Sequence, residues 1–359
     1  MYVLRLLVWE GTRGRCSVGE GPSREASAAA MSSMSNGGEW QQTRFSRKTA
    51  NGEMPMNRSI AATMIILLAF LSSGQFAGAQ GRGFDTNRLQ VSDDLSLYYE
   101  TTGKGAIPIV FVPGWTMSSA VFERQRDHFA NSDRFRYFSY DPRGQGQSSK
   151  PMEGYTYDQH GADLHAFLEG LGLKNVVLVG WSFGVLKVTS YLQQFGADNV
   201  RALVLIDGTP KTTGKDSTKD WAWVGDDNWL SNNQSYTVDL LTEKREENMK
   251  EFSEWMLENP TPEQVRWSTA ISLQTPAWIA ALTNATANNA NYEEALKALE
   301  SKMPLLFVMG TEHWHPAVDQ WRAANTPSAK LVTMGRHLMF WQRSEQFNRE
   351  LDKFLSSLK

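Results

Sequence analysis

The stretch VVLVGWSFG, residues 176–184, places a G-x-S-x-G motif directly after a short apolar run. Residues 185–195 follow with a composition that favours a helix. A strand, a sharp turn and a helix in this order are the context of a nucleophile elbow, which holds Ser182 at the tip of the turn. We therefore expect strained backbone at Ser182 and no room for a side chain at Gly180 or Gly184.

The composition sets broad limits on the class of protein. The chain has 359 residues, of which 41% are hydrophobic, and its formal net charge is −3. A chain of this length and composition can bury one large core. It lacks the basic stripe that would indicate a nucleic-acid partner. The single cysteine, Cys16, lies near the N-terminus. We therefore expect neither disulfide bonds nor a cysteine nucleophile in the folded part.

The first 80 residues do not resemble a folded domain. Residues 11–55 are rich in Gly, Ser, Arg and Met and show no sustained helical or strand period. Residues 54–79 then combine a basic start, an apolar stretch at 60–71 and an Ala-x-Ala site ending at Ala79. These features are typical of a secretory signal peptide, and they predict a secreted or periplasmic protein.

This signal peptide lies inside the sequence, whereas such signals stand at the N-terminus. We therefore interpret residues 1–53 as a non-native or disordered extension, with translation beginning at Met54 or Met56. We expect no stable membrane insertion after cleavage. Anchoring by an uncleaved segment 60–71 is the alternative, although that stretch is short for a membrane span.

From about residue 90 onward, strand-like and helix-like patterns alternate. Amphipathic segments such as 157–171 lie between short apolar runs that we interpret as strands, namely 97–101, 107–112, 135–140, 176–179, 202–206, 305–309 and 330–334. This alternation predicts a mostly parallel sheet covered by helices on both faces. Because functional sites lie at the carboxyl ends of the strands in such sheets, the loops after the strands are where partners of Ser182 are expected.

Two of these loops offer groups that can act with Ser182. The loop after residue 112 reads PGWT, and its glycine allows a turn in which the amides of Trp115 and Phe183 together hold an oxyanion. The loop after residue 334 reads GRHL and places His337 between the last strand and the last helix. A lone histidine is usually a polar side chain with a satisfied hydrogen bond, but this position favours a catalytic base.

Taken in order, these motifs resemble the α/β-hydrolase fold family. The resemblance runs from about residue 89 to the end and rests on four stretches: VPGW at 112–115, DPRGQGQS at 141–148, GWSFG at 180–184 and GRH at 335–337. It implies an α/β-hydrolase core made of residues 89–210 and 301–359. It also implies a serine hydrolase of the esterase, haloperoxidase-like or carbon–carbon hydrolase-like branch.

Two loop details bear on the resemblance. The family often has histidine where this chain has Pro113, and a backbone-amide donor at Trp115 tolerates that change. We interpret DPRGQGQS as a structural turn that Asp141 and Arg143 fix, with no catalytic role for either residue.

A histidine base needs a carboxylate to hold its tautomer, and the sequence offers two. Asp207 directly follows the strand at 202–206, and Glu312 lies in GTEH after the strand at 305–309. The resemblance places most family acids after the later strand, but the usual position there is His313. Some relatives, including certain haloalkane dehalogenases, use the earlier strand. We favour Asp207, although it can also cap a turn, and keep Glu312 as the alternative.

Residues 211–300 are interpreted as a helical cap, inserted after the sixth strand and closing over Ser182. The segment has no sheet-like period and is rich in tryptophan, with Trp221, Trp223, Trp229, Trp255, Trp267 and Trp278. Packing the cap against the core is the commoner role for such side chains, and some are expected to line an apolar substrate cavity.

The predicted function is hydrolysis of an ester-type bond in a small, largely apolar substrate through an acyl-enzyme on Ser182. The alternatives are a carbon–carbon bond hydrolase, a cofactor-free haloperoxidase-like enzyme and a slow-turnover ligand receptor of the same fold. No nucleotide or flavin fingerprint is present, and we expect no cofactor. EHWH at 312–315 offers three metal ligands but completes no usual zinc spacing, so we expect no metal. The expected partner is a small-molecule substrate, and the sequence does not identify partner proteins.

Overall fold

An eight-stranded sheet forms the centre of the molecule. The computed structural model describes residues 85–216, 220–224, 229–311 and 315–358. The strand order across the sheet is β1-β2-β4-β3-β5-β6-β7-β8. The strands are β1 (Asp85–Gln90), β2 (Ser96–Thr102), β3 (Ile107–Val112), β4 (Phe135–Tyr140), β5 (Val176–Trp181), β6 (Val200–Ile206), β7 (Leu305–Met309) and β8 (Lys330–Thr333). Strands β3 to β8 pair in parallel, and β1 and β2 add two antiparallel pairings.

The predicted mostly parallel sheet flanked by helices is confirmed. All seven predicted strands are present, and β5 is buried along its whole length, as expected for a central strand covered on both faces. The sequence missed β1 because that strand lies at the edge of the sheet and is largely exposed. Its sequence, DTNRLQ, therefore lacks the apolar run that marked the other strands.

Helices connect and cover the strands. They are α1 (Glu123–Phe129), α2 (Tyr157–Gly170), α3 (Gly184–Phe195), α4 (Trp229–Asp239), α5 (Arg245–Met256), α6 (Pro262–Leu273), α7 (Ala277–Ala287), α8 (Glu293–Lys297), α9 (His315–Asn325), α10 (Met339–Gln342) and α11 (Ser344–Ser356). Helix α2 begins where the Thr156 side chain accepts a hydrogen bond from the Gln159 amide. Helix α6 begins with a capping box between Thr261 and Gln264.

Within the described residues, five helices, α4 to α8, lie between β6 and β7, in the segment predicted as a cap. Helix α7 and the turn before it contact the loop after β3 through hydrogen bonds. The indole nitrogen of Trp115 donates to the Ala280 carbonyl at 2.9 Å, and the Thr275 hydroxyl donates to the Thr116 carbonyl at 3.0 Å. The inserted helices therefore hold the loop on which Trp115 lies.

The N-terminal predictions fall outside the described residues. This applies to the extension at 1–53, to the signal peptide at 54–79 and to the apolar stretch at 60–71. Among the helices of the described part, none is both long and apolar enough to cross a membrane.

Candidate active site

Ser182 lies on a sharp turn between β5 and α3. Its φ is +56°, a left-handed conformation that costs free energy for a residue with a side chain, so the backbone strain predicted here is present. The turn leaves no space at its glycines. A Cβ added to Gly184 would lie 2.2 Å from the Val112 carbonyl oxygen, and one added to Gly180 would lie 2.9 Å from the Gly184 oxygen. Both positions therefore require glycine.

Asp207 and His337 form a buried pair beside this turn. The Nδ1 atom of His337 lies 2.7 Å from Oδ2 of Asp207, and both side chains are fully buried although 130 residues separate them in sequence. The Gly310 amide donates to the other carboxylate oxygen of Asp207 at 2.7 Å. The Trp181 indole donates to the His337 carbonyl at 2.9 Å. The position of the His337 ring is thus fixed from two sides.

This pairing assigns the protons of the imidazole. A carboxylate at Nδ1 favours the tautomer with its proton on Nδ1, which places the lone pair on Nε2. The same carboxylate stabilises the imidazolium that forms when Nε2 takes up a proton. The structure thus brings Asp207 to His337, whereas the alternative acid, Glu312, lies outside the described residues.

The loop after β3 lies directly against the Ser182 side chain. A Cβ added to Gly114 would lie 2.8 Å from Cβ and 3.2 Å from Oγ of Ser182, so only glycine fits at this position. In the described part of the chain, the amides of Trp115 and Phe183 donate to no other group. Two backbone amides next to Ser182, one along the chain and one in the loop that contacts it, are thus left as donors of the kind that an oxyanion hole requires.

Comparison with known proteins agrees with this geometry. A family model described as alpha/beta hydrolase fold matches residues 107–312, more than half of the chain. The chain belongs to the α/β-hydrolase family. In this fold the loops that carry Ser182, His337, Asp141 and Asp207 all lie at the carboxyl edge of the sheet.

Several curated relatives of this α/β-hydrolase match only part of its length. The chain is 40% identical over 119 residues to a putative non-heme chloroperoxidase of Synechocystis sp.. The aligned segment covers 33% of this chain and 42% of that protein. It is 32% identical over 119 residues to a bifunctional esterase/perhydrolase of Acinetobacter calcoaceticus, covering 33% and 43%. The matches thus span less than half the length of these relatives.

Solved structures resemble this α/β-hydrolase over a longer span. A bromoperoxidase from Bacillus anthracis aligns with a TM-score of 0.67 and 23% identity, covering 76% of this chain and all of that chain. An esterase from Exiguobacterium antarcticum aligns with a TM-score of 0.66 at the same identity and coverage. At this level of identity the likeness shows the fold.

Aromatic rings enclose the candidate site of this α/β-hydrolase. The Trp115 ring lies 5.5 Å from Phe252 of α5 and 6.0 Å from Tyr236 of α4. The His337 ring lies 4.7 Å from Trp255, also of α5. Phe183 and Trp223 meet edge to face at 4.9 Å. Two inserted helices therefore supply rings that contact Trp115 and His337 at the carboxyl edge of the sheet.

The site is closed and apolar as a result. Only 4% of Ser182 and 6% of Trp115 is exposed to solvent, and His337 is not exposed at all. Burial raises the pKa of the Tyr236 hydroxyl. Among the described residues no group of three or more His, Cys, Asp or Glu side chains could hold a metal ion, while Glu312 and His313 lie outside them.

The contacts of Asp141 and Arg143 match the structural role predicted for them. The two carboxylate oxygens of Asp141 accept from the Ser119 amide at 2.7 Å and from the Gln147 amide at 2.6 Å. Arg143 makes a bidentate ion pair with Asp163, with both distances 2.8 Å. Loss of hydration raises the pKa of Asp141 to about 6, since it outweighs these hydrogen bonds. Both residues fix the loop after β4.

Sequence reasoning missed Lys187, which lies on α3 and is fully buried. Its ammonium nitrogen contacts the backbone of the Trp115 loop and the side chain of Gln145. The sequence does contain a signal for this burial, because residues 185–192 read VLKVTSYL and contain no other charged residue. A single charge on an otherwise buried helical stretch indicates a polar network in the core.

Proposed function

We propose that the chain is a serine hydrolase that cleaves an ester-type bond of a small, largely apolar substrate. The observation that carries the proposal is the buried 2.7 Å hydrogen bond between His337 and Asp207. It joins two loops at the sheet edge that also carries the strained Ser182. A buried carboxylate–imidazole pair beside a strained serine is the arrangement of a nucleophile with its base.

In the first step of the proposed mechanism, Nε2 of His337 takes the proton from Ser182, and Oγ attacks the carbonyl carbon of the ester. The amides of Trp115 and Phe183 donate to the oxygen that becomes negative, while Asp207 stabilises the imidazolium. The carbon–oxygen bond to the alcohol then breaks, and His337 protonates the departing alkoxide. The product of this step is an acyl group on Ser182.

In the second step, water attacks the acyl-enzyme. His337 takes a proton from the water, whose oxygen adds to the acyl carbon, and the same two amides hold the new oxyanion. The bond to Oγ of Ser182 breaks, the oxygen regains its proton from His337, and a carboxylic acid leaves. The cycle consumes one water for each ester and needs no cofactor.

The surroundings of Ser182 support an apolar substrate of modest size. The rings of Trp115, Phe183, Tyr236 and Phe252 belong to or pack against one buried apolar cluster, which also includes Met249. Such a lining favours hydrocarbon or aromatic groups, and it disfavours a sugar or a polyphosphate, which would lose hydration without compensating partners. The near-complete burial of Ser182 further implies that helices α4 and α5 move for substrate to reach it.

Labelling with a fluorophosphonate, together with turnover of short p-nitrophenyl esters, tests this proposal. The wild type should be labelled and should release p-nitrophenol, and Ser182→Ala should lose both properties. Thr189→Val is a matched control, because Thr189 is buried on α3, the helix that follows Ser182, and its hydroxyl donates only to carbonyls of that helix. A folded wild type that is not labelled would contradict the proposal.

Export of the enzyme is part of the same proposal. The signal-like segment at 54–79 supports secretion or periplasmic location, with a mature protein that begins near Gln80. N-terminal sequencing of the native product tests it. A start at Gln80 or Gly81 supports export, whereas a start near Met1 contradicts both export and the interpretation of residues 1–53.

Perhydrolysis is a second candidate activity, and the matches to a non-heme chloroperoxidase and a bifunctional esterase/perhydrolase favour it. In this reaction hydrogen peroxide replaces water in attacking the acyl-enzyme. Its oxygen bonds to the acyl carbon, a proton passes to His337 and on to Oγ, and a peracid leaves. Peracid formation from an ester and peroxide, lost in Ser182→Ala, would support this activity; ester hydrolysis without peracid would exclude it.

A further inference from the structure

Lys187 lies beneath the oxyanion loop, which we define as residues 113–116. It occupies the first turn of α3, the helix that follows Ser182. Its Nζ donates to the Gln145 Oε1 at 2.8 Å, to the Pro113 carbonyl at 2.9 Å and to the Gly114 carbonyl at 3.3 Å. Three acceptors thus surround a group that, as an ammonium, carries three N–H donors.

Burial of this amine is costly. In the described part of the chain no carboxylate forms an ion pair with Lys187, and loss of hydration lowers its pKa well below the usual range. Burial, together with the positive charges of Lys187 and Arg143, lowers the pKa of His160 of α2 well below its usual range. An apolar side chain would pack at this position without that cost, so the hydrogen bonds of Lys187 must supply something that packing does not.

Those hydrogen bonds converge on one peptide unit. The carbonyl of Gly114 and the amide of Trp115 belong to the same peptide bond. That carbonyl accepts from Lys187 and, at 2.8 Å, from Nε2 of Gln145. Because Oε1 of Gln145 accepts from Lys187, the side-chain amide of Gln145 is oriented with Nε2 toward the loop. This Nε2 also donates to the Met117 carbonyl at 2.6 Å.

Hydrogen bonds to a peptide carbonyl polarise the whole unit. Electron density shifts toward the Gly114 oxygen, so the N–H of Trp115 becomes a stronger donor. The same contacts hold the loop that lies against Ser182, so they restrict the direction in which this N–H can point. A preorganised donor of this kind contributes most when negative charge develops on the substrate oxygen.

We propose that Lys187, acting directly and through Gln145 on the Gly114–Trp115 peptide, sets the strength and position of the Trp115 oxyanion donor. It is a positioning residue, because it does not touch the substrate. The inference rests on the proposed function, since it requires the Trp115 amide to receive an oxyanion. Its effect belongs to the transition state, so kcat should depend on Lys187 while KM does not.

The test compares Lys187→Met with Thr189→Val, which alters a buried side chain of the same helix outside this network. For each we would measure kcat and KM with p-nitrophenyl acetate and the Ki of an aryl trifluoromethyl ketone. Ser182 Oγ adds to that ketone, its proton passes to His337, and the ketone oxygen becomes an oxyanion. The inhibitor therefore reports on the oxyanion hole directly.

We expect Lys187→Met to lower kcat by roughly 10- to 100-fold, to raise Ki by a similar factor and to change KM by less than about threefold. Thr189→Val should leave all three within about twofold. A merely structural role would lower the unfolding temperature without raising Ki. An unchanged Ki in folded Lys187→Met would overturn the inference.

Two further measurements complete the test. The Ki ratio of Lys187→Met to wild type should not grow as pH rises, because loss of the ammonium proton can only weaken the Lys187 donor of the wild type; a ratio that grows with pH contradicts a lysine donor. If Lys187→Met does not fold, Gln145→Met removes the shorter donor to the same carbonyl, and an unchanged Ki there overturns the inference. A wild type that the ketone does not inhibit would instead contradict the proposed function.

Discussion

The loops after β4 and β6 each begin with a buried aspartate, yet the two residues have different partners. Asp141 follows β4 and accepts hydrogen bonds from two backbone amides of nearby residues. Asp207 follows β6 and bonds one backbone amide and the imidazole of His337. The same position at the sheet edge is therefore occupied in one case by a residue that fixes a loop and in the other by a residue that pairs with a titratable side chain.

This difference shows that position in the fold is not enough to assign a role. Both aspartates are the first residue after a parallel strand, and both are almost fully buried. What separates them is whether a proton can be exchanged at the partner: a backbone amide cannot exchange its proton on the time scale of a reaction, whereas an imidazole can. The following predictions test that separation.

The largest expected effect is on turnover in Asp207→Asn. This change keeps the shape of the side chain but removes the charge that stabilises the imidazolium, and it favours the wrong tautomer of His337. We expect kcat to fall by about 10³- to 10⁴-fold, with only a small change in KM. Steady-state kinetics with p-nitrophenyl acetate measure this loss. A decrease of less than about tenfold would remove the distinction between the two aspartates.

The next effect is on stability in Asp141→Ala. The change removes the charged acceptor of the buried Ser119 amide and of the Gln147 amide, so the free energy of unfolding should fall by about 2–4 kcal/mol. Urea unfolding followed by tryptophan fluorescence measures it. Turnover below the new midpoint should change by less than about tenfold. A turnover loss as large as that of Asp207→Asn would give Asp141 a role in the chemistry.

The stability contributed by Asp141 should also depend on pH. Its folded-state pKa of about 6 is above the ordinary value of 3.8, so protonation favours the folded state. That contribution is fully present below about pH 4 and is lost as pH rises through 6. The stability advantage of wild type over Asp141→Ala should be about 2 kcal/mol larger at pH 4.5 than at pH 7. An advantage that grows with pH would contradict the raised pKa.

The smallest expected effect is that of Glu312→Gln. If Asp207 is the acid that orients His337, this substitution should change kcat by less than about twofold, since the neutral amide replaces a carboxylate outside the pair. Kinetics measured beside Asp207→Asn under the same conditions make the comparison direct. A loss of orders of magnitude in Glu312→Gln would move the acid to the loop after β7.

Much of the fold could be predicted because its strands are buried. Runs such as residues 107–112 and 305–309 match β3 and β7 residue for residue, since a strand covered on both faces is apolar throughout. Strand β6 begins earlier than predicted, at Val200, because Arg201 interrupts the apolar run at the point where the pairing of β6 with β5 shifts register. Strand β1 was missed because an exposed edge strand carries no such run.

The candidate site could be predicted in part. The loops of Ser182 and His337 follow strands, so order along the chain was sufficient to propose them. The choice between Asp207 and Glu312 depends on which carboxylate meets the imidazole in space, and the one signal in the sequence is that His313 occupies the usual family position of the acid. Lys187 was missed because a lysine on a helix is usually solvated. Its ammonium group contacts Gln145 and Pro113, which lie in loops about 40 and 75 residues earlier in the chain, so the sequence around Lys187 does not reveal these contacts.

Mass spectrometry of the acyl-enzyme tests the central claim most directly. Wild type and Asp207→Asn would be mixed with excess p-nitrophenyl acetate, quenched in acid within one turnover and digested. We predict an acetyl group on the peptide that contains Ser182, formed rapidly in wild type and slowly in Asp207→Asn, and absent from Ser182→Ala. Ester hydrolysis that continues in Ser182→Ala, or an acetyl group on another side chain, would contradict the account.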